Sequence, residues 1–403
     1  MEAIVLAGGL GTRLRSAVSN LPKCMAPIGD IPFLSYILDW LQDQGVEHVI
    51  LSVGYLREYI INWVSAQSYP FDIDFAVEET PLGTGGGIRE ALKYCRGKQV
   101  FVVNGDTFFP VDLKAFTFDA PITVALKPMK DFDRYGAVEL RFLDSAFGSA
   151  RNDRNTPVNE GGSARNDRVE ITGFREKGYC SEGLINGGVY AFKDLDLSGF
   201  PEKFSFEKEV LEPLKYKTCG VVQDCYFLDI GIPEDYERAQ TELPEYRAVK
   251  AASKKLMESG ADTLLIDRDG TINVRIPGDY VRTWAQFKFL NGILEEFPKW
   301  AAKFKRIIVV TNQRGVGRGL MTDRDLADIH SRMLQAIVGA GGRIDAILTC
   351  TATDDADPRR KPNPGMYHEA RQLFPEMERA IMLGDSRTDA AFAQNAGIDF
   401  ILL

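Results

Sequence analysis

The sequence has little cysteine and no long apolar run, and each shortage argues against a class of protein. Six cysteines are spread over 403 residues without a CxxC pair, which argues against a disulfide framework and favours a reducing compartment. No stretch approaches the ~18 consecutive apolar residues that a membrane span needs. The first residues also lack the basic and apolar regions of a signal peptide. The sequence therefore predicts a cytoplasmic protein that does not interact with membranes.

Excess positive charge is missing as well. The net charge is −9 and the isoelectric point is about 5.2, so the protein is not expected to bind nucleic acid or an anionic membrane surface. Anionic substrates are expected only where local cations or a metal ion receive them. A hydrophobic content of 45% over 403 residues predicts a folded protein of two domains. The oligomeric state stays open, and a homo-oligomer is compatible with the sequence.

The order of apolar and amphipathic segments predicts an α/β fold in two parts. Over the first ~240 residues, short apolar runs alternate with amphipathic stretches, the rhythm of strands and helices in a layered sheet. The charged, helix-prone segment 241–261 is expected to link the domains, and the strand–helix rhythm restarts at Asp262 and continues to the last residue. The predicted strands of the two parts are 3–7, 48–53, 72–77, 99–103 and 122–126, then 264–266, 306–310, 346–348, 381–383 and 400–402.

A polar insertion interrupts the first part. Residues 136–140 and 169–174 read as a hairpin, and the segment between them carries GSARNDR twice, at 148–154 and 162–168. This segment lacks large apolar residues apart from its beginning and contains Pro157 and several glycines. We expect a solvated, mobile insertion without a binding function.

The N-terminal motif LAGGLGTRLR directly follows a predicted strand. Its glycines allow backbone N–H groups to approach phosphate oxygens closely. Leu14 occupies the third glycine position of a dinucleotide-binding loop, and no GxxxxGK[ST] motif is present, so neither of those two loop types fits. Arg13 and Lys23 follow, and they supply fixed positive charge suited to a triphosphate.

These residues resemble the signature of the sugar-1-phosphate nucleotidylyltransferases. Further motifs of that family follow in order over residues 1–240: PLGTGGG (81–87), VVNGDTFF (102–109), FREK (174–177), INGGVYAF (185–192) and FLDIGIPEDY (227–236). The resemblance implies a Rossmann-like mixed sheet and transfer of a nucleotidyl group from a nucleoside triphosphate to a sugar phosphate. Within the family, the opening motif and EETPLGTGGGI are most similar to heptose-1-phosphate guanylyltransferases. Mannose-1-phosphate guanylyltransferases and uridylyl- or thymidylyl-transferring relatives are less similar.

The resemblance also implies roles for individual residues. Arg13 and Lys23 are expected to stabilise the phosphates catalytically, and Asp106 and Asp229 to hold Mg²⁺. Cys24 departs from the second proline of many relatives and is interpreted as a packing residue. The remaining expected contacts are, for the nucleotide, Leu6, Gly8, Gly9, Gly11, Thr12, Gly83, Gly85 and Asp106, and for the sugar phosphate, Glu176, Lys177, Asn186 and Gly188.

A second set of motifs begins with IDRDGT. Two aspartates at i and i+2 after an apolar strand, Asp267 and Asp269, suit a nucleophile and a general acid/base for phosphate chemistry. Thr311 and Asn312 end the next strong strand, where a hydroxyl and an amide can hold phosphate oxygens. Lys361 in RRKPNPGM supplies a cation, and Asp385 and Asp389 in LGDSRTD supply carboxylates for Mg²⁺.

The four ordered motifs resemble the haloacid-dehalogenase (HAD) superfamily of aspartyl phosphatases. The resemblance implies a doubly wound parallel sheet and Mg²⁺ held by Asp267, Asp269 and Asp385. DGTINVRIPGDYV and TNQRGVGRGLMT are similar to the heptose-bisphosphate phosphatases, with histidinol-phosphate phosphatases as the neighbouring group. Cys350 stands alone where members of this group often carry a zinc loop, so no zinc is expected. His330 and His368 are interpreted as surface or packing residues away from the motifs, and the candidates for the rest of a doubly phosphorylated sugar are Arg314, Arg318 and Arg360.

Together the two resemblances predict a bifunctional enzyme with GTP and heptose phosphates as substrates. The C-terminal domain would remove the 7-phosphate of D-glycero-D-manno-heptose 1,7-bisphosphate, and the N-terminal domain would transfer GMP to the resulting heptose 1-phosphate. Two alternatives stay open. The same chemistries could act on another sugar and base, such as mannose 1-phosphate with GTP. Alternatively, the C-terminal domain could be a non-catalytic scaffold.

Overall fold

The structure, a computed structural model, describes residues 1–9, 14, 20–142, 168–175 and 178–403. The described residues form two compact units, the first ending at Thr241 and the second running from Glu242 to Leu403. The predicted polar insertion lies outside the described residues, except for residues 141–142, which end one strand, and Arg168, which begins the next. Among the described residues, no helix combines the length and the apolar character that crossing a bilayer requires.

The first unit is built on a nine-stranded mixed sheet with the strand order β5-β4-β1-β6-β11-β8-β12-β10-β9. The strands β5, β4, β1 and β6 are parallel, whereas β11 pairs antiparallel with both β6 and β8. The predicted hairpin is the antiparallel pair β9–β10. The strands are β1 Glu2–Leu6, β2 Pro27–Ile28, β3 Ile31–Pro32, β4 His48–Val53, β5 Asp72–Val77, β6 Gln99–Asn104, β7 Thr107–Phe108, β8 Ile122–Phe132, β9 Val138–Phe142, β10 Arg168–Phe174, β11 Cys180–Lys193, β12 Thr218–Val222 and β13 Leu228–Asp229.

Helices pack on the parallel part of this sheet through apolar residues that recur at helical spacing and so lie on one face of each helix. The first helix begins after Pro32, whose φ of −66° suits a helix start. It buries Phe33, Ile37 and Leu41, which lie four residues apart on one face. Strand β4 is buried on both faces, since all six of its residues are buried. The helices of the first unit are α1 Phe33–Asp43, α2 Arg57–Ser65, α3 Gly83–Ala91 and the beginning of α4 Pro233–Glu258.

The second unit has a five-stranded sheet in the order β16-β15-β14-β17-β18, and every pair in it is parallel. Its central strand β14 is buried along its whole length. This sheet confirms the predicted doubly wound fold, and its observed strands agree with the predicted ranges to within two residues. The elements are β14 Thr263–Ile266, α5 Ile293–Lys303, β15 Arg306–Asn312, α6 Arg314–Gly317, α7 Asp323–Gly339, β16 Ala346–Cys350, α8 Gly365–Leu373, β17 Ala380–Gly384, α9 Arg387–Ala396 and β18 Asp399–Leu402.

The segment expected to link the domains is mostly helical. Helix α4 continues through Glu258, and Val249, Ala252 and Leu256 from its second half belong to the apolar core of the second unit. Lys250 adds ion pairs of 2.6 Å each to Glu295 and Glu296 of α5. These residues therefore pack as part of the second unit.

Candidate active sites

The candidate site of the first unit is a cavity of about 510 Å³ at the carboxyl ends of the parallel strands. Residues from the end of β1 line it, including Leu6, Gly8 and Gly9, and Asp106 follows the end of β6. Of the residues predicted to contact the nucleotide or its phosphates, Gly11, Thr12 and Arg13 lie outside the described residues. The other predicted residues that line the cavity are Lys23, Gly83 and Asp106.

Lys23 stands between two carboxylates from distant parts of the chain. Its Nζ lies 2.6 Å from Asp106 Oδ2 and 3.7 Å from Asp229 Oδ1. Asp229 comes from β13, which pairs with β7 immediately after Asp106. Burial, together with the negative charge of Asp106, raises the pKa of Asp229. The structure thus brings together the two aspartates that were predicted to share Mg²⁺.

The carboxylates of Asp106 and Asp229 are suitable oxygen ligands for Mg²⁺. Carboxylate oxygens are the ligands that Mg²⁺ prefers, and two of them leave positions for phosphate oxygens and water. The raised pKa of Asp229 means that a cation near it would relieve unfavourable negative charge. Asn104 Oδ1, in the wall of the same cavity, is buried without a hydrogen-bond partner. Asp106 and Asp229 would hold the ion.

The glycines of PLGTGGG, at the start of α3, have a packing reason that sequence analysis missed. Gly83 has a φ of +73°, and a Cβ there would lie 2.5 Å from Phe204 O. A Cβ on Gly85 would lie 2.2 Å from the Phe204 ring. Both glycines therefore allow the segment around Phe204 to pack closely against the start of α3. The prediction that they bring the backbone close to a base stays a prediction.

Glu78 is a candidate residue that sequence analysis did not single out. It lines the cavity, and its Oε1 accepts a hydrogen bond of 2.9 Å from Ser52 Oγ, while its Oε2 accepts one of 3.1 Å from Leu82 N. A Cβ on either Gly8 or Gly87 would come within 2.9 Å of Glu78 Oε1. The carboxylate is thus fixed among small residues. Its position in EETPLGTGGG was the available signal, but its partner Ser52 lies on a different strand, β4.

The predicted sugar-phosphate residues are only partly described. Glu176 and Lys177 lie outside the described residues. Asn186 donates a hydrogen bond of 2.9 Å to the hydroxyl of Tyr190 and accepts one of 2.9 Å from Gly188 N. Gly188 has a φ of +75° and closely approaches Asn104, so a side chain there would be strained and would collide. Cys24 is buried at the cavity wall, and burial raises the pKa of its thiol to about 12, which agrees with its interpretation as a packing residue.

The candidate site of the second unit is a cavity of about 410 Å³ at the carboxyl ends of β14, β15 and β17. Because these three strands are neighbours, the side chains that follow them meet at one edge of the sheet. The cavity is lined by Asp267, Asp269, Thr311, Asn312, Lys361 and Asp389, all predicted from the motifs. Gly270 allows Asp385 to approach, since a Cβ on it would lie 2.1 Å from the Asp385 carboxylate.

Three carboxylates of this site could share one cation. One ligand oxygen from each of Asp267, Asp385 and Asp389 lies within 4.8 Å of the others. Burial, with the nearby charge of Asp389, raises the pKa of Asp267 to about 6, and burial also raises the pKa of Asp385. A divalent cation would relieve this repulsion, so the donor set fits Mg²⁺. Asp269, which was predicted as a ligand, is not a member of this set.

Lys361 is the buried cation of the site. Its side chain is 2% exposed, and its Nζ lies 2.8 Å from Asp267 Oδ1 and 2.6 Å from Asp389 Oδ1. Asn312 fixes the backbone of Lys361 by accepting from its N–H and donating to its carbonyl oxygen, both at 3.0 Å. The ammonium therefore faces Asp267 from a fixed position.

Asp269 accepts hydrogen bonds from neighbouring side chains and does not belong to the three carboxylates that could share a cation. Arg268, Asn273 and Gln313 donate hydrogen bonds to it. Burial alone would raise the pKa of Asp269, but the Arg268 charge and these hydrogen bonds outweigh burial and keep the pKa below its usual value. Gln313 also donates to Thr311 Oγ1 at 2.9 Å. Because the Thr311 oxygen accepts this bond, its hydroxyl proton can be donated to another group.

The interpretation of His330 as a residue away from the motifs is wrong. Its Nε2 lies 3.2 Å from Arg268 Nη1, inside the DRDGT motif. His330 lies on the same helical face as the buried residues Leu326, Met333 and Ile337 of α7. Its local pattern is therefore that of a packing residue, and only the position of α7 beside the end of β14 brings it to the motif. His368, by contrast, is exposed.

Two of the predicted sugar-phosphate arginines, Arg314 and Arg360, share the carboxylate of Asp355. Arg314 Nη2 and Arg360 Nε lie 3.1 and 2.8 Å from Asp355 Oδ1, and a hydrogen bond from Arg360, with the Arg314 charge, lowers the pKa of Asp355. Arg314, Arg318 and Arg360 are absent from the lining of the described cavity. Arg275 lines that cavity instead and lies 3.2 Å from Asp385 Oδ1, a contact that sequence analysis missed.

A protein-family model matches part of each unit. The model of the MobA-like NTP transferase domain matches residues 3–119, and that of a HAD-hydrolase-like family matches residues 358–403. Together with the two sites, these matches define an enzyme that joins a nucleotidyltransferase to a HAD-type hydrolase.

Individual relatives narrow this class. The chain is 45% identical to D-glycero-alpha-D-manno-heptose 1-phosphate guanylyltransferase of Aneurinibacillus thermoaerophilus over 255 residues, which are 61% of this chain and 100% of that protein. It is 38% identical to D-glycero-alpha-D-manno-heptose-1,7-bisphosphate 7-phosphatase of Mycobacterium bovis over 135 residues, which are 33% of this chain and 71% of that protein. The crystal structure of HddC from Yersinia pseudotuberculosis complexed with GMP-PN matches with 34% identity and a TM-score of 0.50. That match covers 60% of this chain and 99% of HddC. The chain belongs to the D-glycero-α-D-manno-heptose 1-phosphate guanylyltransferase family in its first unit and to the heptose-bisphosphate 7-phosphatase family in its second unit.

Proposed function

We propose that the chain catalyses two consecutive reactions of sugar-nucleotide synthesis. The second unit hydrolyses the 7-phosphate of D-glycero-D-manno-heptose 1,7-bisphosphate. The first unit then transfers GMP from GTP to the heptose 1-phosphate and releases pyrophosphate. One observation carries the proposal: the relatives of the two units are named for reactions in which the product of one is the substrate of the other. We further propose the division into residues 1–240, a connecting segment at 241–261 and residues 262–403, with the helical part of the segment packed on the core of the second unit.

In the phosphatase reaction, Asp267 is the proposed nucleophile. Its carboxylate oxygen attacks the phosphorus while the bond from phosphorus to the sugar oxygen breaks, and Asp269 gives that oxygen a proton. Water then attacks the aspartyl phosphate, Asp269 takes a proton from it, and inorganic phosphate leaves. Asp269 is ionised in the free site because its pKa is low. A phosphate dianion bound beside it favours its protonated form, because like charges raise a carboxyl pKa.

Fixed cations and dipoles neutralise the transferring phosphate in this site. Lys361 and the hydroxyl of Thr311 face the cavity beside Asp267 and are proposed to hold its oxygens. When bound at Asp267, Asp385 and Asp389, Mg²⁺ would supply charge neutralisation for phosphate and nucleophile. Arg314, Arg318 and Arg360 are proposed to contact the rest of the sugar phosphate, and Arg275 joins them because of its position at the cavity.

In the transfer reaction, a phosphate oxygen of heptose 1-phosphate attacks the α-phosphorus of GTP while the bond to the bridging oxygen of pyrophosphate breaks. No covalent intermediate is needed, so positioning and charge neutralisation supply the catalysis. Lys23 is proposed to stabilise the α-phosphate and Arg13 the leaving pyrophosphate, while Asp106 and Asp229 would hold Mg²⁺. The sugar phosphate is assigned to Glu176, Lys177, Asn186 and Gly188.

Glu78 gives this site a means of selecting guanine. A carboxylate only accepts hydrogen bonds, and guanine presents two adjacent donors, the ring N1–H and the exocyclic amino group. Uracil, thymine and adenine do not offer such a pair on one edge. Glu78 keeps free lone pairs on both oxygens after its bonds from Ser52 Oγ and Leu82 N. We therefore assign it to the guanine edge of GTP.

The product would be a GDP-heptose for transfer to a surface polysaccharide or glycoprotein. We place the enzyme in the cytoplasm because GTP and phosphorylated sugars are available there. The two-step proposal assumes no direct passage of the intermediate between the two sites.

The test is ³¹P NMR of the full chain with Mg²⁺, GTP and D-glycero-D-manno-heptose 1,7-bisphosphate. We expect inorganic phosphate, pyrophosphate and the paired signals of a GDP-sugar. Asp267→Asn should abolish phosphate release but leave transfer to supplied heptose 1-phosphate intact, and Asp106→Ala should do the reverse. The exposed Asp399→Asn serves as a control for both steps. Turnover of only one step by the unmodified protein would refute the bifunctional proposal.

A further inference from the structure

Arg268 is a charged residue with no solvent exposure, located between the two motif aspartates. Burying an unpaired guanidinium is costly, so a buried arginine requires partners for its donors. Its neighbours Asp267 and Asp269 have proposed chemical roles, whereas the phosphatase chemistry described above does not use Arg268. The arrangement of its partners points to a role through Asp269.

Arg268 donates to both oxygens of Asp269. Nη2 lies 2.9 Å from Oδ1 and 2.8 Å from Oδ2, and Nε lies 3.3 Å from Oδ1. Asn273 Nδ2 and Gln313 Nε2 add bonds of 3.0 and 2.7 Å to the two oxygens. Asp269 is still 23% exposed, and it lines the cavity. Its carboxylate is thus held from behind while part of it faces the substrate space.

His330 fixes the other end of the guanidinium. Its Nε2 lies 3.2 Å from Arg268 Nη1, and because a guanidinium can only donate, Nε2 must accept and the ring proton must sit on Nδ1. Burial and the Arg268 charge lower the pKa of His330 to about 4, so the ring stays neutral and able to accept. Because His330 belongs to α7, this helix and the DRDGT turn are joined through one hydrogen bond.

We propose that Arg268 and His330 are a pair of positioning residues that fix the Asp269 carboxylate for the proton transfers of phosphate-ester hydrolysis. The inference rests on the proposed phosphatase function and goes beyond it. A rotation of Asp269 by a single χ1 step would move its oxygens away from the leaving group and the attacking water. The Nη2 contact to both oxygens opposes that rotation, and His330 prevents the guanidinium from following it.

The alternative is that the pair only stabilises the fold, and variants at His330 separate the two. His330→Leu removes the acceptor, while His330→Gln restores one because its side-chain oxygen can reach where Nε2 lay. His368→Gln is the matched control, since His368 is an exposed histidine on another helix of the same unit. Arg268→Met removes the holding group itself. Each full-length variant is assayed for phosphate release from heptose 1,7-bisphosphate and for guanylyl transfer.

General acid–base catalysis contributes ~10²–10⁴-fold, so partial misplacement of Asp269 should cost ~10-fold or more in kcat. We expect this loss for His330→Leu with KM changed by less than ~3-fold, recovery to within ~3-fold for His330→Gln, and a loss of ~10²-fold or more for Arg268→Met. Transfer by the first unit should not change. Unchanged kcat in His330→Leu, or equal losses in the Leu and Gln variants, would overturn the positioning role. Absence of phosphate release from the unmodified protein would instead remove the phosphatase proposal itself.

Discussion

Replacing Lys361 by methionine tests the electrostatics of the second site most directly. Methionine keeps the length and apolar stem of the side chain but removes the ammonium that lies 2.8 Å from Asp267 and 2.6 Å from Asp389. Both carboxylates are almost fully buried, with side-chain exposures of 8% and 0%. The variant therefore leaves two adjacent buried carboxylates without their cation.

The expected loss of stability follows from these distances. At an effective dielectric constant of ~20, a unit-charge pair 2.8 Å apart attracts with about 6 kcal/mol, and desolvation offsets much of this. Removing one partner of a buried pair typically costs ~3–5 kcal/mol because the remaining charge is unpaired. Lys361 serves two carboxylates, so we expect a loss of about 5 kcal/mol in metal-free buffer. Mg²⁺ should reduce that loss, since it neutralises the same carboxylates.

Hydrogen exchange of the full chain can measure this loss in the second unit alone. Amides of β14 and β17 that exchange through global opening should exchange ~10³–10⁴-fold faster in Lys361→Met, since each ~1.4 kcal/mol corresponds to tenfold. Lys305→Met is the control, because Lys305 pairs with Asp262 at 3.2 Å but is 59% exposed. An exposed pair contributes less than ~1 kcal/mol.

Two results would refute the reasoning. If Lys361→Met exchanged as slowly as the unmodified protein in EDTA, the carboxylates would have to be neutral in the folded state. If the loss were the same with and without Mg²⁺, the Asp267, Asp385 and Asp389 set would not be the metal site.

Three further predictions concern the nucleotide, the metal and packing. Glu78→Gln should lower kcat/KM for GTP by ~30-fold or more, since hydrogen bonds to charged groups contribute ~1.5–3 kcal/mol each. The variant should also show a smaller preference for GTP over inosine triphosphate in a pyrophosphate-release assay. An unchanged preference would exclude Glu78 from the guanine edge. Because Asp267 has a pKa of about 6, above its unfolded value, it contributes ~3 kcal/mol of metal-free stability below pH ~4 that is lost as pH rises through 6. Mg²⁺ binding, measured by calorimetry, should correspondingly tighten between pH 5 and 7, and equal affinities at both pH values would contradict this. Gly85→Ala should cost ~1–3 kcal/mol in thermal unfolding, since its Cβ would lie 2.2 Å from the Phe204 ring, whereas Gly199→Ala, with nothing within 4 Å, should change stability by less than ~0.5 kcal/mol.

The elements that carry the motifs could be predicted from the sequence because their signals are local. A strand such as β14 is a continuous apolar run, and α1 repeats apolar residues at helical spacing, so both can be read from a short window. The aspartates after β14 and β17 could be assigned to one edge because parallel neighbouring strands end together. Family resemblance supplied the reactions for both units, which spacing alone does not contain.

What the sequence by itself determined is therefore the α/β class of both units, the parallel strands of both sheets and the residues that end those strands. The long antiparallel strand β11 was not predicted. Tertiary structure alone decided which of these residues meet: Glu78 with Ser52, Lys361 with Asp389, and His330 with Arg268. It also showed that Asp269 accepts hydrogen bonds from Arg268 and Gln313 and is not one of the three carboxylates that could share a cation. Position 85 requires glycine because the Phe204 ring occupies the space of a Cβ. The physical reason is that backbone hydrogen bonding and burial follow local periodicity. The partners of a buried charge, by contrast, depend on how helices and strands far apart in the chain pack together.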